Sequence, residues 1–388
     1  MDKIRNAVWF KILTTILLLI VLGVLGLIVT FIVSWGTAKF TNVTILSFIV
    51  LIVYVITIIW GNGRRLTTLL GLYFLGVVLF VGGNLIYDAY IDSIPVVKDQ
   101  DVNLSDYAPF VEGTKAVKLT EPSTFKIPPG STLPILDGAT ALYPLYSAFV
   151  QATYPPELSK WSDFSLVMCS KTAGAFQNLI DGKVDIIFVA RPSEQQIIDA
   201  EMKGVEFQMT PVGHEAFVFF VNSRNKVEGL TSDQIRDIYS GKITNWKEVG
   251  GANEPIKAFQ REEGSGSQTM LNTLMEGRAL ISPPTEDIQG SMGGIIERTA
   301  DYRNHNNAIG YSFRFFSTEM VKNNQIRLLK IDGVYPDPGT IASREYPFVA
   351  DFYAVTTNTK NPHVQPFIQW MLSSQGQYLV EKTGYTPL

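Results

Sequence analysis

Three apolar runs crowd the first ninety residues: 12–35 (ILTTILLLIVLGVLGLIVTFIVSW), 43–60 (VTILSFIVLIVYVITIIW) and 66–87 (LTTLLGLYFLGVVLFVGGNLIY). None contains a charged residue, and each is close to the roughly 20 residues a helix needs to cross a bilayer. A soluble core does not string three such segments together with only a few polar residues between them. A cleaved signal peptide fits poorly, because the first run is too long and lacks a small-residue cleavage site. No cysteine follows it, which argues against lipid attachment. The expectation is three transmembrane α-helices within a membrane region spanning 1–91, with the lipid bilayer as their partner.

The loops set an expected orientation. Lys3, Arg5 and Lys11 flank the first run, Arg64 and Arg65 lie between the second and third, and the loop between the first two carries only Lys39. Basic residues favour the cytoplasmic side, so the N-terminus and the second loop are expected there. An odd number of spans then puts everything after residue 90 outside a multi-pass cell-membrane anchor. Cys169 is the sole cysteine, so no internal disulfide can form.

Residues 92–130 mix charges and prolines (DSIPVVKDQ, EPSTFKIPPGST) and read as an extracytoplasmic linker. From 131 to 388 strand and helix patterns alternate. LPILDGAT, FSLVMCS, VDIIFVA, FQMTPVGHEAFVFFVN, EPIKAFQR, AIGYSF and FVADFYAVT read as strands. ALYPLYSAFVQATY, TAGAFQNLIDG, TSDQIRDIYSG and the stretch after GSGS read as helices, with one or two more in VQPFIQWMLSSQGQYLVEKTG. Such alternation predicts an α/β fold with helices on both faces of a sheet. The net charge of −4, with no basic stripe interleaved with aromatics, gives no reason to expect nucleic acid as a partner.

The chemistry lies in a recurrence. DGATALYPLY places Thr140 at a strand-to-helix turn, CSKTAGAFQNL does so with Thr172, and REEGSGSQTML does so with Ser265 and Ser267 just after Arg261. A helix start leaves backbone N–H groups unpaired and carries partial positive charge, so it attracts anions. Any one of these hydroxyls could simply cap its own helix. Three such turns, one beside an arginine, suggest donors converging on a tetrahedral oxyanion. A P-loop needs a lysine after the glycines, and a nucleophile elbow needs G-x-S-x-G; EGSGSQ supplies neither. His214, His305 and His363 have no spacing that suggests a metal cluster or a base near the serines, and His214 reads as structural. Nothing here points to an enzyme, a cofactor or a metal.

DGATALYPLY, REEGSGSQT, GKITNWKEVGG and NNAIGYSF together resemble hallmark stretches of the phosphate-binding proteins of ABC-type phosphate importers, in the type II periplasmic-binding-protein superfamily. The resemblance covers about 133–388. It implies a two-lobed fold closing over one oxyanion, with lobe 1 at about 131–217 and 350–388 and lobe 2 at about 218–349. It also implies ABC permease and ATPase subunits as partners and inorganic phosphate, or a similar oxyanion, as ligand. By the same resemblance Thr140 and Ala141 belong to the first ligand turn, Thr172 to the second, and Ser265, Gly266 and Ser267 to the third. Arg261 matches the arginine paired with the anion, and Glu263 the acid that orients it.

One position departs from the family. Its members carry an aspartate near the end of the strand that here reads VDIIFVARPS, which accepts the proton of hydrogenphosphate and so rejects sulfate. Here Ala190 or Arg191 stands there, and Asp185 comes too early. Arg191 would add affinity for a dianion but remove that acceptor, unless another acid such as Glu215 takes the task. The three spans are a second departure, and leave open a sensor that passes closure to a cytoplasmic partner. A phosphate-ester hydrolase using Ser265 or Ser267 is a third reading.

Overall fold

The computed structural model describes residues 2–36, 40–60, 64–93, 102–156, 166–282, 288–289, 295–296, 299, 306–321 and 323–388. Lys39 and His305, both used in the sequence reading, lie outside them. Two compact units emerge, Met1–Pro95 and Val96–Leu388.

The first unit consists of α1 (Asp2–Gly36), α2 (Thr41–Trp60) and α3 (Arg64–Ser93). Within them Val8–Val33, Thr41–Trp60 and Thr67–Ile86 are long and apolar enough to cross a membrane, and their large side chains are mostly exposed. Apolar surface left this open in water would cost far more than a small bundle could recover, so these helices fit a membrane anchor. The few polar groups in the spans bond within the bundle. Trp60 Nε1 donates to Thr15 Oγ1 at 3.0 Å, Ser47 and Tyr73 share a hydroxyl contact at 3.2 Å, and Thr14 bonds back to the Phe10 carbonyl. Such pairing is what a medium without water demands.

The second unit is built on a mixed sheet. Its strands are β1 (Leu136–Gly138), β2 (Ile186–Val189), β3 (Gln208–Asn222), β4 (Lys257–Ala258), β5 (Gln260–Arg261), β6 (Ala308–Phe313), β7 (Ile326–Leu328) and β8 (Val349–Thr356). Among the described residues the main sheet runs β1-β2-β8-β3-β6-β4, with β7 also on β3. The pairs β1–β2 and β4–β6 are parallel, whereas β8 runs antiparallel to both β2 and β3. The FSLVMCS stretch contributes a single bridge, Val167 to Leu136, and EPIKAFQR is split at Phe259 into β4 and β5.

β3 is the spine. Its first half pairs with β8 up to Ala216, and from Phe217 it pairs with β6. A large apolar core gathers on each side of that changeover, and a smaller third cluster joins Phe176 and Leu179 to Ile187, Val189 and Val355. The first includes Leu136, Tyr146, Phe149, Phe188, Phe367 and Trp370; the second includes Phe219, Tyr239, Trp246, Leu271, Ile309 and Tyr311. The helices α4 (Tyr143–Thr153), α5 (Lys171–Ile180), α6 (Glu194–Met202), α9 (Val364–Met371) and α10 (Ser374–Thr383) come from the stretches around the first core, and α7 (Ser232–Tyr239) and α8 (Gly266–Leu274) from those around the second. The terminal stretch thus forms two helices, broken at Leu372–Ser373, where Ser373 Oγ accepts from the Gly376 N–H. Within 92–130, Val102 packs against the second core, and Leu104, Tyr107, Phe110, Val117, Leu119 and Phe125 pack against the first. Ile127 is fully buried, the Phe110 N–H donates to Gln151 of α4, and the Thr124 N–H donates to Gln375 of α10.

Candidate functional site

The first two predicted turns are tied together by one buried carboxylate. Asp137, at the centre of β1 and fully buried, accepts from the Gly138 N–H at 2.8 Å, the Ser170 N–H at 2.7 Å and Asn178 Nδ2 at 2.9 Å. Gly138 leads into a short 3₁₀ turn, Thr140–Leu142, and Ser170 is the residue before α5. Neither turn has a side-chain cap on its own helix, so the hydroxyl of Thr140 is not spent as a cap. Cys169 Sγ contacts Thr140 Oγ1 at 3.8 Å. Lys171 enters α5 with φ of +62°, a conformation that costs a non-glycine residue about 1 kcal/mol or more. The Ala141 carbonyl accepts from the buried Tyr385 hydroxyl, which anchors the first turn to the chain's last residues.

The third turn follows β5. Arg261 is 8% exposed, and its backbone N–H donates to both the Tyr311 hydroxyl and Gln268 Oε1 at 2.9 Å. Its Nε donates to the Gln289 carbonyl at 2.9 Å, while Nη1 is buried with no hydrogen-bond partner. Burial pulls the guanidinium down from its usual range, with the Tyr311 and Glu262 side chains opposing that shift. Ser265 caps α8, its Oγ accepting from the Gln268 N–H at 3.2 Å, which leaves its own O–H to donate elsewhere. Ser267 Oγ, like Arg261 Nη1, is buried without a partner. Thr269 Oγ1 in the same first turn of α8 is also unpartnered, and buried donors left unpaired between β5 and α8 are costly unless an acceptor joins them.

The turns on the two sides of β3 meet. A Cβ at Gly266 would come 3.1 Å from Thr172 Oγ1 and 3.8 Å from Ala190, so glycine is what allows α8 to start against α5. Gly264, with φ of +77°, offers its carbonyl to Gln196 Nε2 of α6 at 3.2 Å. Between these turns lies a cavity of about 30 Å³, walled by Ala141, Thr172, Ala190, Gly266, Glu215, Asp351 and their neighbours. Ala141, Thr172 and Gly266 of the predicted set therefore share one wall system. Thr140, Arg261, Ser265 and Ser267 sit on the same three turns.

Two expected residues are placed differently. Arg191 is exposed; its Nε donates to the Tyr353 hydroxyl at 3.2 Å, its guanidinium lies 5.9 Å from that ring's centre, and Ala190 takes the place on the cavity wall. Glu263 makes no bond to Arg261 among the described residues. It is exposed on a separate groove of about 720 Å³ between α5, α6 and α8, and the Gln289 carbonyl fixes Arg261 instead.

Two acids line the cavity. Asp351 of β8 is already committed: Oδ1 pairs with His214 Nδ1 at 2.8 Å and Arg344 Nη2 at 3.2 Å, and Oδ2 accepts from Tyr353 at 3.4 Å. Burial alone would raise its carboxyl, but His214 and Arg344 hold it below the usual range. Glu215 of β3, 5% exposed, accepts among the described residues only backbone N–H groups, from Ala216 at 2.9 Å and Phe315 at 3.2 Å. Burial pushes its carboxyl up to about 7 despite those bonds and the Arg314 charge. Sequence reasoning missed Asp137, Gln268, Gln289, Tyr311 and Asp351. Gln268 and Tyr311 lay inside the quoted stretches GSGSQT and AIGYSF, but no local pattern marks them as the clamp on Arg261. Among the described residues no group of three or more His, Cys, Asp or Glu could hold a metal ion.

Comparisons with known proteins bear on the family and fold of this unit. A family model described as a PBP superfamily domain matches residues 135–375. The phosphate-binding protein PstS of Bacillus subtilis is 30% identical over 197 residues, covering 50% of this chain and 61% of the relative. PstS of Borreliella burgdorferi is 27% identical over 181 residues, covering 45% and 64%. The chain thus spans less than two thirds of either relative's length. A crystal structure of a candidate phosphate ABC transporter substrate-binding protein from Clostridium perfringens, with phosphate bound, superposes with a TM-score of 0.51 at 25% identity. It covers 66% of this chain and 100% of that one.

Proposed function

This chain belongs to the PBP superfamily, and on that premise we propose that its second unit captures inorganic phosphate, or a close tetrahedral oxyanion, outside the cell. The observation that carries the reading is the buried, unpartnered pair of donors at the third turn, Arg261 Nη1 and Ser267 Oγ. A buried cation and a helix start are what a small polyanion needs once it leaves water. Thr140, Ala141, Thr172, Arg261, Ser265, Gly266 and Ser267 form the binding set, and Arg191 stays outside it. The cores on either side of β3 act as two lobes, 131–217 with 350–388 and 218–349, which part to admit the ligand.

The three apolar helices tether this unit to the membrane, N-terminus inside, and present it to an ABC permease with its ATPase. PstS relatives bear the name phosphate-binding protein, and the Clostridium perfringens protein holds phosphate, which supports the ligand class. No bond is made or broken in this role. Calorimetric titration of the full chain in detergent tests it: phosphate binds with micromolar or tighter affinity, and Arg261→Ala abolishes the heat. Equal binding by parent and variant refutes the site.

A further inference from the structure

Glu215 is one of two acids on the wall of the cavity shared by Ala141, Thr172 and Gly266. It stands where β3 leaves β8 for β6, opposite Ala350, and its second oxygen reaches the Phe315 N–H just beyond β6. Each carboxyl oxygen therefore has one backbone donor and one remaining lone-pair site. No side chain donates to it among the described residues. The other acid on the wall, Asp351, is saturated by His214, Arg344 and Tyr353. An anion entering the cavity meets one acid already paired with the Arg344 guanidinium and hydrogen-bonded by its neighbours, and one that is not.

The geometry points to Glu215 entering the complex protonated, as a hydrogen-bond donor to the oxyanion, so that binding of a proton-free anion takes up one proton. This rests on the oxyanion reading above. A carboxylate held beside a dianion in so small a cavity repels it, and protonation both removes the repulsion and supplies an O–H donor. The charged and titratable groups around Glu215 do not replace that proton. Arg314 follows β6 and lowers the carboxyl only in part, burial still leaving it near 7; the Tyr385 hydroxyl is given to the Ala141 carbonyl; His214 of β3 is paired with Asp351 of β8. A carboxyl that is half protonated near neutrality before the ligand arrives needs little further shift to keep its proton. The consequence for ligand class is direct. A site with a protonated acid accepts oxyanions that bring no proton, such as sulfate, and accepts them better in acid.

Sulfate carries no titrating group between pH 5.5 and 8.5, so it isolates the protein's proton. The full chain in detergent is titrated with sulfate across that range, in two buffers of different ionisation enthalpy, with phosphate at neutral pH as reference. The expected result is sulfate binding at pH 5.5, weakening about tenfold per pH unit above neutrality, the limit for uptake of one proton, with matching buffer-dependent heat. In Glu215→Gln, whose amide still donates, sulfate affinity becomes independent of pH. His214→Gln retains the dependence, which separates Glu215 from the histidine paired with Asp351. Phosphate binding without any sulfate binding at pH 5.5, or with pH-independent sulfate binding, overturns the donor role and leaves the oxyanion reading standing. A pH dependence unchanged in folded Glu215→Gln does the same. Silence toward phosphate and sulfate alike overturns both. Should Glu215→Gln fail to fold, the parent's sulfate profile and buffer heats decide alone.

Discussion

Arg261 closes β5 and Arg191 stands two residues beyond β2, and both precede a turn that feeds a helix, yet their surroundings give them opposite work. Arg261 is held from three directions, by Tyr311, Gln268 and the Gln289 carbonyl, with one nitrogen buried and unpaired. Arg191 lies exposed against a single tyrosine. A buried cation whose backbone and Nε are fixed is pre-organised for an anion, because the cost of ordering it is met by folding rather than by binding. An exposed one is screened by water and contributes little. Residue type and local sequence do not separate the two; burial does.

The sharpest way to break this contrast is to truncate both side chains. Arg261→Ala is expected to weaken phosphate binding by a factor on the order of a thousand, since it removes a desolvated charge from a charged ligand. Arg191→Ala is expected to change affinity by less than about fivefold. Calorimetry on the two variants reads the difference, and similar losses would erase the distinction.

A second test loosens the clamp without touching the charge. Tyr311→Phe removes the hydroxyl that meets both the Arg261 N–H and Gln268. It should lower affinity by roughly tenfold and stability by about 1–2 kcal/mol, whereas Tyr353→Phe beside Arg191 should leave phosphate affinity within about twofold. Equal effects would mean that Arg261 needs no such support.

The opposite side of the cavity is tested through Asp137. Asp137→Asn keeps one acceptor but turns a donor toward groups that already donate, so thermal denaturation should register a loss of about 2 kcal/mol and binding a several-fold loss. A smaller effect is expected for Gly266→Ala, whose methyl group would meet Thr172 Oγ1 at 3.1 Å. A several-fold rise in Kd with unchanged melting would place the conflict in closure rather than in folding.

Stability should also depend on pH through Glu215. The folded chain keeps this proton up to about 7, whereas the unfolded chain releases it near the ordinary value of 4.5. Between those values the folded state holds more protons, so stability falls as pH rises through the window and levels off above it. Glu215→Gln should flatten that decline in urea denaturation followed by tryptophan fluorescence.

Much of this was open to sequence reasoning because it is local. The apolar runs became α1 to α3, the period-2 stretch FQMTPVGHEAFVFFVN became β3, and glycine and hydroxyl residues marked the three turns. The partners of those turns were not open to it, because they lie far along the chain. Tyr311 is fifty residues from Arg261, and Asp351 reaches His214 across β8 and β3. The FSLVMCS stretch was read as a strand on composition, yet it gives a single bridge in the described residues. Glu263 follows Arg261 closely in sequence, but the intervening turn leaves it on another groove, and a backbone carbonyl serves instead. The family resemblance suggested Glu263 as the acid beside Arg261; among the described residues the contact to its Nε comes instead from a backbone carbonyl far along the chain.

The central claim is that Arg261 and the helix start after it hold a tetrahedral oxyanion. Titration of phosphate into the detergent-solubilised full chain, run beside Arg261→Ala at neutral pH, tests it most directly. Saturable one-to-one binding by the parent, lost in a variant that still melts cooperatively, is the expected result. Undiminished binding by the variant, or none by the parent, would contradict it.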